Sequence, residues 1–369
     1  VGIESPDRII PRKTLDQINN YIAAKTIESV KRELGIDKVI KLAGNENTNG
    51  YSPYVKEVIR NSLEDLSYYP DMNCTVLREK LAALHQVDQE ELLFGNGSFE
   101  LISIVAQTFL EEGDEAIMAE PSFGWYKNVT WQMGAKVVSL PLKNYTVDLD
   151  LISQSITEKT KLIWLCNPNN PTGTIVSEQD IRRLLDKLRP DILLVLDEAY
   201  VDFVTEEGYP DSVGLLHDYP NVILLRTFSK IYGLASFRIG YAIAAKYIIS
   251  CLNKVRIPIN TNALAQIAAA ASLEDQKFRE FILTNNRKGL ELYYDTLSEL
   301  GLEYVRSNCN FILFDTGLDS EIVAGEFYKR GILIRAGKEF GLPTWVRISI
   351  GTYEENVLVL RLFKEILQQ

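Results

Sequence analysis

Histidine is almost missing from this chain, which has only His85 and His217. Neither falls in a polar motif, so acid–base chemistry by imidazole has little support and another group must carry protons. The four cysteines, Cys74, Cys166, Cys251 and Cys309, show no metal-ligand spacing. Reduced, buried thiols in a cytoplasmic protein are expected, and no metal. Long apolar runs are missing too: no segment reaches membrane-spanning length, and Val1 to Arg8 lacks the apolar core of a signal peptide. Repeats, low-complexity tracts and Gly/Ser-rich linkers do not occur. Basic residues are in deficit, with 39 Lys and Arg against 50 Asp and Glu, a net charge of −11. That balance argues against general binding to nucleic acid or anionic membranes, while a local basic pocket stays possible. What remains is 369 residues that are 46% hydrophobic, enough for two domains with a core each.

Three short apolar runs, Leu162 to Leu165, Ile192 to Leu196 and Val222 to Leu225, recur at about thirty-residue spacing, the spacing of βαβ units in a parallel sheet. Between the first two, Ser177 to Leu188 reads as a helix. Ser177 is its N-cap, Ile181, Leu184, Leu185 and Leu188 form one apolar face, and Pro190 stops it. Each apolar run ends in polar residues: Asn167 to Gly173 (NPNNPTG), Asp197 to Tyr200 (DEAY), and Ser229-Lys230. In open parallel sheets, ligands bind beyond the carboxyl ends of the strands. Three chemically loaded strand ends therefore converge on one site.

Lys230 lies in the run Arg226 to Arg238 (RTFSKIYGLASFR), with hydroxyls one and three residues before it and Arg238 eight residues after. A primary amine forms a reversible Schiff base with an aldehyde, and it is nucleophilic once burial and neighbouring charge lower its pKa. Hydroxyls and an arginine would bind a phosphate, so the run suits pyridoxal phosphate. The alternative is a solvated lysine at a strand end. Asp197 would pair with the cofactor's protonated ring nitrogen, and Tyr200 and Asn170 would bond its phenolic oxygen. Acids at a helix N-terminus and an Asn-Pro turn are the structural alternatives for these residues. Upstream, Leu92 to Phe94 reads as a strand and Gly95-Asn96-Gly97 as a turn. From Ser98 a helix follows, with Leu101, Ile102, Val105, Ala106 and Phe109 as its apolar stripe. Free N–H groups at such a helix start would grip a phosphate. Phe123 would stack on the cofactor ring, or belong to the core.

Taken in order, Gly95 to Ser98, Asn167 to Gly173, Asp197 to Tyr200, Thr227 to Lys230 and Arg238 resemble the fold-type-I pyridoxal-phosphate aminotransferases. The chain is most similar to their histidinol-phosphate aminotransferase branch. That narrower resemblance rests on Leu42 to Asn47 (LAGNEN), Tyr68 to Asp71 (YYPD), Ser307 to Phe311 (SNCNF), Gly331 to Arg335 (GILIR), Gly341 to Pro343 and Trp345 to Gly351 (WVRISIG). It implies an α/β fold. A mostly parallel seven-stranded sheet flanked by helices forms a large domain over residues 48–255, and residues 1–47 and 256–369 form a smaller α+β domain from both termini. Ser29 to Leu34, a helix near Arg287 to Leu300, and a strand pair at Phe311 to Phe314 and Ile332 to Ile334 would belong to the smaller one.

The resemblance makes Lys230 the Schiff-base lysine and proton carrier, with Asp197 and Tyr200 as its catalytic partners. Gly97, Ser98, Phe99, Thr227, Ser229 and Arg238 would hold the cofactor phosphate, and Tyr69 would reach it from the neighbouring subunit of a homodimer with shared sites. Arg347 would hold the substrate carboxylate. Arg335 would be a second anion contact, Tyr21 of the partner's N-terminal segment a lid, and Asn45 and Asn310 further substrate contacts. For Arg335 the alternative is a surface ion pair, and for Tyr21 a packing tyrosine. The implied reaction moves an amino group between an amino donor, L-histidinol phosphate as best match, and 2-oxoglutarate by a ping-pong mechanism.

Departures from the branch pattern fall at Thr48, Tyr51 and Phe99. The first two lie in a loop expected to border the substrate, which leaves open an aminotransferase for aromatic or other specialised amino acids. A decarboxylase of a phosphorylated amino acid would use the same scaffold. A ligand-sensing module of a transcription regulator is the remaining class; fewer than fifty residues precede the first motif, too few for an added DNA-binding domain.

Overall fold

In a computed structural model of the chain, which describes residues 10–18, 25–64 and 66–368, the three apolar runs become adjacent parallel strands. They are Thr160–Cys166, Leu193–Asp197 and Val222–Thr227. Cys166 stands opposite Asp197, and Asp197 opposite Leu225, so the loaded strand ends line up at one edge. Parallel sheets carry helices on both faces, and strands buried on both sides read as unbroken apolar runs rather than alternating ones. Two hydrophobic cores accordingly lie on the two faces, one around Ile163, Leu194 and Leu224, the other around Leu162, Val195 and Ile223.

The full sheet has seven strands, ordered Leu92–Gly95, Gly240–Ala244, Val222–Thr227, Leu193–Asp197, Thr160–Cys166, Glu115–Glu120 and Lys136–Pro141. Only Gly240–Ala244 runs against its neighbours. Ser177 caps the helix Glu178–Leu185 by accepting from the Asp180 N–H. The regular helix ends at Leu185, and Leu188 closes a tighter turn back onto that residue.

The second body is built on a four-stranded antiparallel sheet ordered Arg335–Ala336, Trp345–Ser349, Phe311–Asp315 and Tyr304–Val305. Its core joins Ile312, Phe314, Val346 and Ile348 to Tyr293, Leu297 and Phe363 from the helices Gln276–Glu299 and Tyr353–Ile366. Two expectations change here. Phe311 to Phe314 does not pair with Ile332 to Ile334: the short strand Ile332–Leu333 pairs in parallel with Ile40–Lys41 instead. The N-terminal segment thereby joins the C-terminal body. The boundary expected at residues 255 and 256 also moves, because the helix Ala263–Ser272 packs on the helices Pro53–Arg60 and Thr75–His85. Its Ala265, Ala268, Ala269, Ala270 and Ala271 are buried in the large-sheet core. Small side chains on its buried face let these helices approach closely.

Candidate active site

The strand ends and the N-terminal segment meet at Lys230. Its ammonium donates to the Gly44 carbonyl at 3.3 Å and sits 5.4 Å from the centre of the Tyr200 ring. Burial brings its pKa down to about 8; the Glu46 carboxylate opposes that shift and the Arg347 and Arg238 guanidinia add to it. The lysine is thus a usable base near neutrality. The Tyr200 hydroxyl accepts from Asn45 Nδ2 at 2.9 Å, and burial pushes its pKa up. Asn45, in a left-handed conformation with φ 56°, is locked by Ser349 and by Asn310, whose Nδ2 donates to the Asn45 carbonyl at 3.1 Å. Asn310 Oδ1 stays buried without a partner.

Asp197 is buried at the end of its strand. It accepts from the Tyr126 hydroxyl at 2.7 Å and from the Ala199 N–H at 3.2 Å. Burial nevertheless raises its pKa to about 6, because these hydrogen bonds and the charge of Lys230 offset only part of the desolvation. A cationic partner would restore the low value, and a protonated pyridine nitrogen is such a partner. Phe123 stands edge-on to Phe99 at 5.0 Å and to Tyr126 at 5.4 Å, at the rim of an aromatic row that continues to Trp164.

The phosphate cradle assembles from three segments. Gly97, with φ 75°, precedes the helix Ser98–Phe109 and offers no side chain to cap its first turn. The positive φ favours glycine at 97, and a Cβ there would stand 2.6 Å from Arg238 Nη2, so a side chain would displace that guanidinium. Arg238 is placed by the carbonyls of Asn96 and Ala235, at 3.0 Å each, and reaches Ser229 Oγ at 3.5 Å. Thr227 and Ser229 exchange hydrogen bonds across the same turn. A helix start, an arginine and three hydroxyls fit a phosphate. Glu100 holds the turn by accepting from the Asn96 N–H at 2.5 Å and from Asn260 Nδ2 at 2.7 Å.

The anion end of the site is an arginine pair. Arg347 is buried, bonds Asn170 Oδ1 and the Ala43 carbonyl, and lies over the rings of Phe311 and Phe340. Asn170, expected at a cofactor oxygen, thus spends its Oδ1 on Arg347. Arg335 stands directly opposite Arg347 on the neighbouring antiparallel strand. Its guanidinium pairs with Glu339 at 2.7 Å, so the ion-pair alternative is realised, yet the Nε atoms of both arginines are buried without partners.

Tyr69 is exposed, and Tyr21 lies outside the described residues. Tyr51 packs edge-on against Phe237 at 5.7 Å, and Thr48 Oγ1 is buried without a partner. His85 is a structural group. It bonds the Tyr241 hydroxyl at 2.9 Å, and burial with Arg226 beside it pushes its pKa down to about 3. Among the described residues no group of three or more His, Cys, Asp or Glu could hold a metal, and no helix is long and apolar enough to cross a membrane.

A half-buried lysine of lowered pKa, a buried carboxylate open to a cationic partner and a glycine–arginine cradle are an arrangement that pyridoxal phosphate would fit. The family model for class I and II aminotransferases matches residues 37–361. The chain belongs to that family and is a pyridoxal-phosphate-dependent aminotransferase of fold type I. It is 46% identical over 356 residues to a histidinol-phosphate aminotransferase of Caldicellulosiruptor saccharolyticus, covering 96% of this chain and 99% of that protein. A histidinol-phosphate aminotransferase of Sinorhizobium meliloti, solved in complex with pyridoxal-5′-phosphate, has the same fold. Its TM-score is 0.89 at 24% identity, over 99% of this chain and 98% of the other. The L-threonine-O-3-phosphate decarboxylase of Porphyromonas gingivalis aligns with a TM-score of 0.79 at 26% identity, covering 90% and 100% of the two chains.

Proposed function

We propose that the amino donor is L-histidinol phosphate and the acceptor 2-oxoglutarate, used in alternate half-reactions at one site, and that the chain serves histidine biosynthesis in the cytoplasm. The observation that carries this reading is the arginine pair. Like charges placed directly opposite on neighbouring strands repel, and two buried, unpartnered Nε–H groups cost free energy until an anion accepts from them. A phosphate monoester meets that demand, and a planar guanidinium fork serves a carboxylate equally well, which glutamate requires in the second half-reaction. The relatives named as histidinol-phosphate aminotransferases support the same donor.

The residues divide the work as follows. Bound pyridoxal phosphate supplies an electron-withdrawing ring that stabilises negative charge at the donor's α-carbon. Gly97, Ser98, Phe99, Thr227, Ser229 and Arg238 hold its phosphate, Asp197 holds its ring nitrogen in the protonated form, and Phe123 covers the ring. Tyr200 faces the phenolic oxygen, and Asn170 places both that oxygen and Arg347. Lys230 Nζ would take the proton from the donor's α-carbon and pass it on to C4′ of the cofactor rather than back. Arg347 and Arg335 anchor the anion, while Asn45 and Asn310 fix the wall between the two bodies. The active unit is a homodimer in which Tyr69 completes the partner's site. The larger body runs from residue 48 through the Ala263–Ser272 helix.

The arginine pair suits any phosphorylated donor, and the Porphyromonas neighbour keeps a decarboxylase as the second reading. The test is absorbance of the cofactor-loaded protein mixed with histidinol phosphate, phenylalanine or O-phosphothreonine, followed by 2-oxoglutarate, with carbon dioxide measured in parallel. Bleaching of the visible band by histidinol phosphate and its recovery with 2-oxoglutarate is the expected result. Preference for phenylalanine, or carbon dioxide release from O-phosphothreonine, would overturn the assignment.

A further inference from the structure

Two guanidinia face the anion end of the site, but they are not equally committed. Arg347 already has two fixed acceptors, Asn170 Oδ1 and the Ala43 carbonyl, and is clamped between Phe311 and Phe340. Among the described residues Arg335 has a single ionic partner, the Glu339 carboxylate at 2.7 Å, and a buried Nε–H with none. The two members of that pair differ in exposure: the Arg335 side chain is 20% exposed and that of Glu339 is 51% exposed. Glu339 can therefore swing into solvent at small cost, whereas Arg335 stays at the site.

The position of Glu339 is set by the turn that carries it. Gly337–Phe340 forms one tight helical turn between the strands Arg335–Ala336 and Trp345–Ser349. A Cβ at Gly337 would stand 2.3 Å from the Trp345 carbonyl, so the turn is pressed onto the strand that bears Arg347. From this one turn Phe340 reaches the Arg347 face and Glu339 reaches Arg335, while Lys338 pairs with Glu321.

We propose that Glu339 is a built-in competitor for the substrate anion. Acting through Arg335, it holds that guanidinium in the free enzyme and yields it to the anionic end of the donor. It is a positioning residue with a consequence for specificity. A singly charged carboxylate gains little by replacing another carboxylate on Arg335, whereas a doubly charged phosphate monoester gains by its extra charge. Glu339 thus lowers affinity by a like factor for every anion that seats on Arg335, since the cost of displacing it does not depend on the newcomer; a dianion, which Arg335 attracts more strongly, meets that cost most readily, and a donor with no second anion does not meet it at all. This inference rests on the reading of the arginine pair as an anion site.

The test uses cofactor-loaded protein, in which the cofactor's own phosphate cradle is filled, and orthophosphate as the probe. Calorimetric Kd values for orthophosphate are measured for wild type, Glu339→Gln, Glu339→Ala, Arg335→Ala and the Arg335→Ala/Glu339→Gln double variant. Both Glu339 variants are expected to bind orthophosphate more tightly by about threefold or more, the scale of a partly exposed ion pair. The gain should shrink in roughly 0.5 M KCl through screening and vanish in the double variant relative to Arg335→Ala. With histidinol phosphate as donor, KM should fall by a similar factor at unchanged kcat, and KM for phenylalanine should stay where it is. An orthophosphate Kd that is unchanged or weaker in both Glu339 variants, or a gain that persists without Arg335, overturns the proposal. If histidinol phosphate is no substrate while orthophosphate still binds more tightly to Glu339→Gln, the donor assignment fails and the competitor role stands. If it is a substrate and orthophosphate affinity ignores Glu339, the reverse holds.

Discussion

Tyr126 donates its hydroxyl hydrogen to Asp197 at 2.7 Å, with its ring stacked on Trp164. The tyrosine fixes one carboxylate oxygen and the Ala199 N–H reaches the other, so Asp197 is oriented before any ligand arrives. Orientation without a counter-charge leaves an electrostatic cost. The aspartate has a pKa of about 6 in the folded chain against an ordinary 3.8.

The sign of that shift gives the first prediction. A carboxyl whose folded pKa is raised contributes stability below its unfolded pKa and loses it as pH rises through the folded value. The cofactor-free wild type should lose thermal stability relative to Asp197→Asn between about pH 4 and pH 7, by on the order of 1–3 kcal/mol. The variant should also keep cofactor on its phosphate cradle while turnover falls by orders of magnitude. Thermal melts of both cofactor-free proteins across that range check the first part. Parallel melting curves at every pH, or near-normal turnover, would exclude a charged role for Asp197.

Lys230 gives the second. Lys230→Ala should lose the visible absorption band of lysine-bound pyridoxal phosphate together with turnover, and an unchanged spectrum in that variant would end the assignment. In the wild type, capture of the cofactor by cofactor-free protein should accelerate as pH rises through about 8, because only the neutral amine attacks an aldehyde and burial has brought Lys230 down to that value. A capture rate that is flat from about pH 7 to pH 9 would contradict the lowered pKa.

The alignment of the strand ends that carry Asn167, Asp197 and Lys230 is legible from the chain, because strand ends in a parallel sheet are read directly from apolar runs and the polar residues that follow them. Tyr126 is not. It sits three residues beyond Phe123 in the same short run, and nothing in a one-dimensional pattern says which ring crosses to Asp197. The apparent pair of Phe311 to Phe314 with Ile332 to Ile334 failed for a related reason. Both runs are buried and apolar, so neither names its partner, and Ile40–Lys41 arrives from nearly three hundred residues away to take the second one. The Ala263–Ser272 helix, expected in the smaller domain, buries its alanines in the large-sheet core, a packing that the pattern does not foretell because alanines bury well against any close-packed helix. Glu339 was invisible: an i, i+4 acid after an arginine is common on surfaces, and only the register of Arg335 against Arg347 gives the pair meaning.

Assembly supplies the third prediction. Tyr68 and Tyr69 are largely exposed, and Met72, Ile257 and Ile259 expose apolar surface nearby in the chain or across the Arg256 contact to the Met72 carbonyl. A two-fold dimer would cover this surface and bring Tyr69 to the partner's phosphate cradle. Tyr69→Phe should weaken cofactor retention, seen as faster loss of visible absorbance on dialysis, with an unaltered melting curve in the absence of cofactor. Sedimentation should show a dimer, and full activity from a demonstrably monomeric sample would refute shared sites.

The last prediction isolates the donor's anion. On the proposed reading Arg347 serves both half-reactions, so its removal would damage every substrate and discriminate nothing. Arg335 is the informative position, since its guanidinium is held by one half-exposed carboxylate and carries a buried Nε–H with no acceptor. A charge-assisted hydrogen bond is worth about 1.5–3 kcal/mol, so Arg335→Ala should lower kcat/KM for histidinol phosphate by roughly ten- to a hundredfold. Phenylalanine, which offers no second anion, should lose much less. Steady-state kinetics with both donors at fixed 2-oxoglutarate decide the matter. Equal losses for the two donors would mean that Arg335 acts only through the fold of its strand. In that case the phosphate-specific reading fails, and Thr48 and Tyr51 become the places to look for a different amino acid.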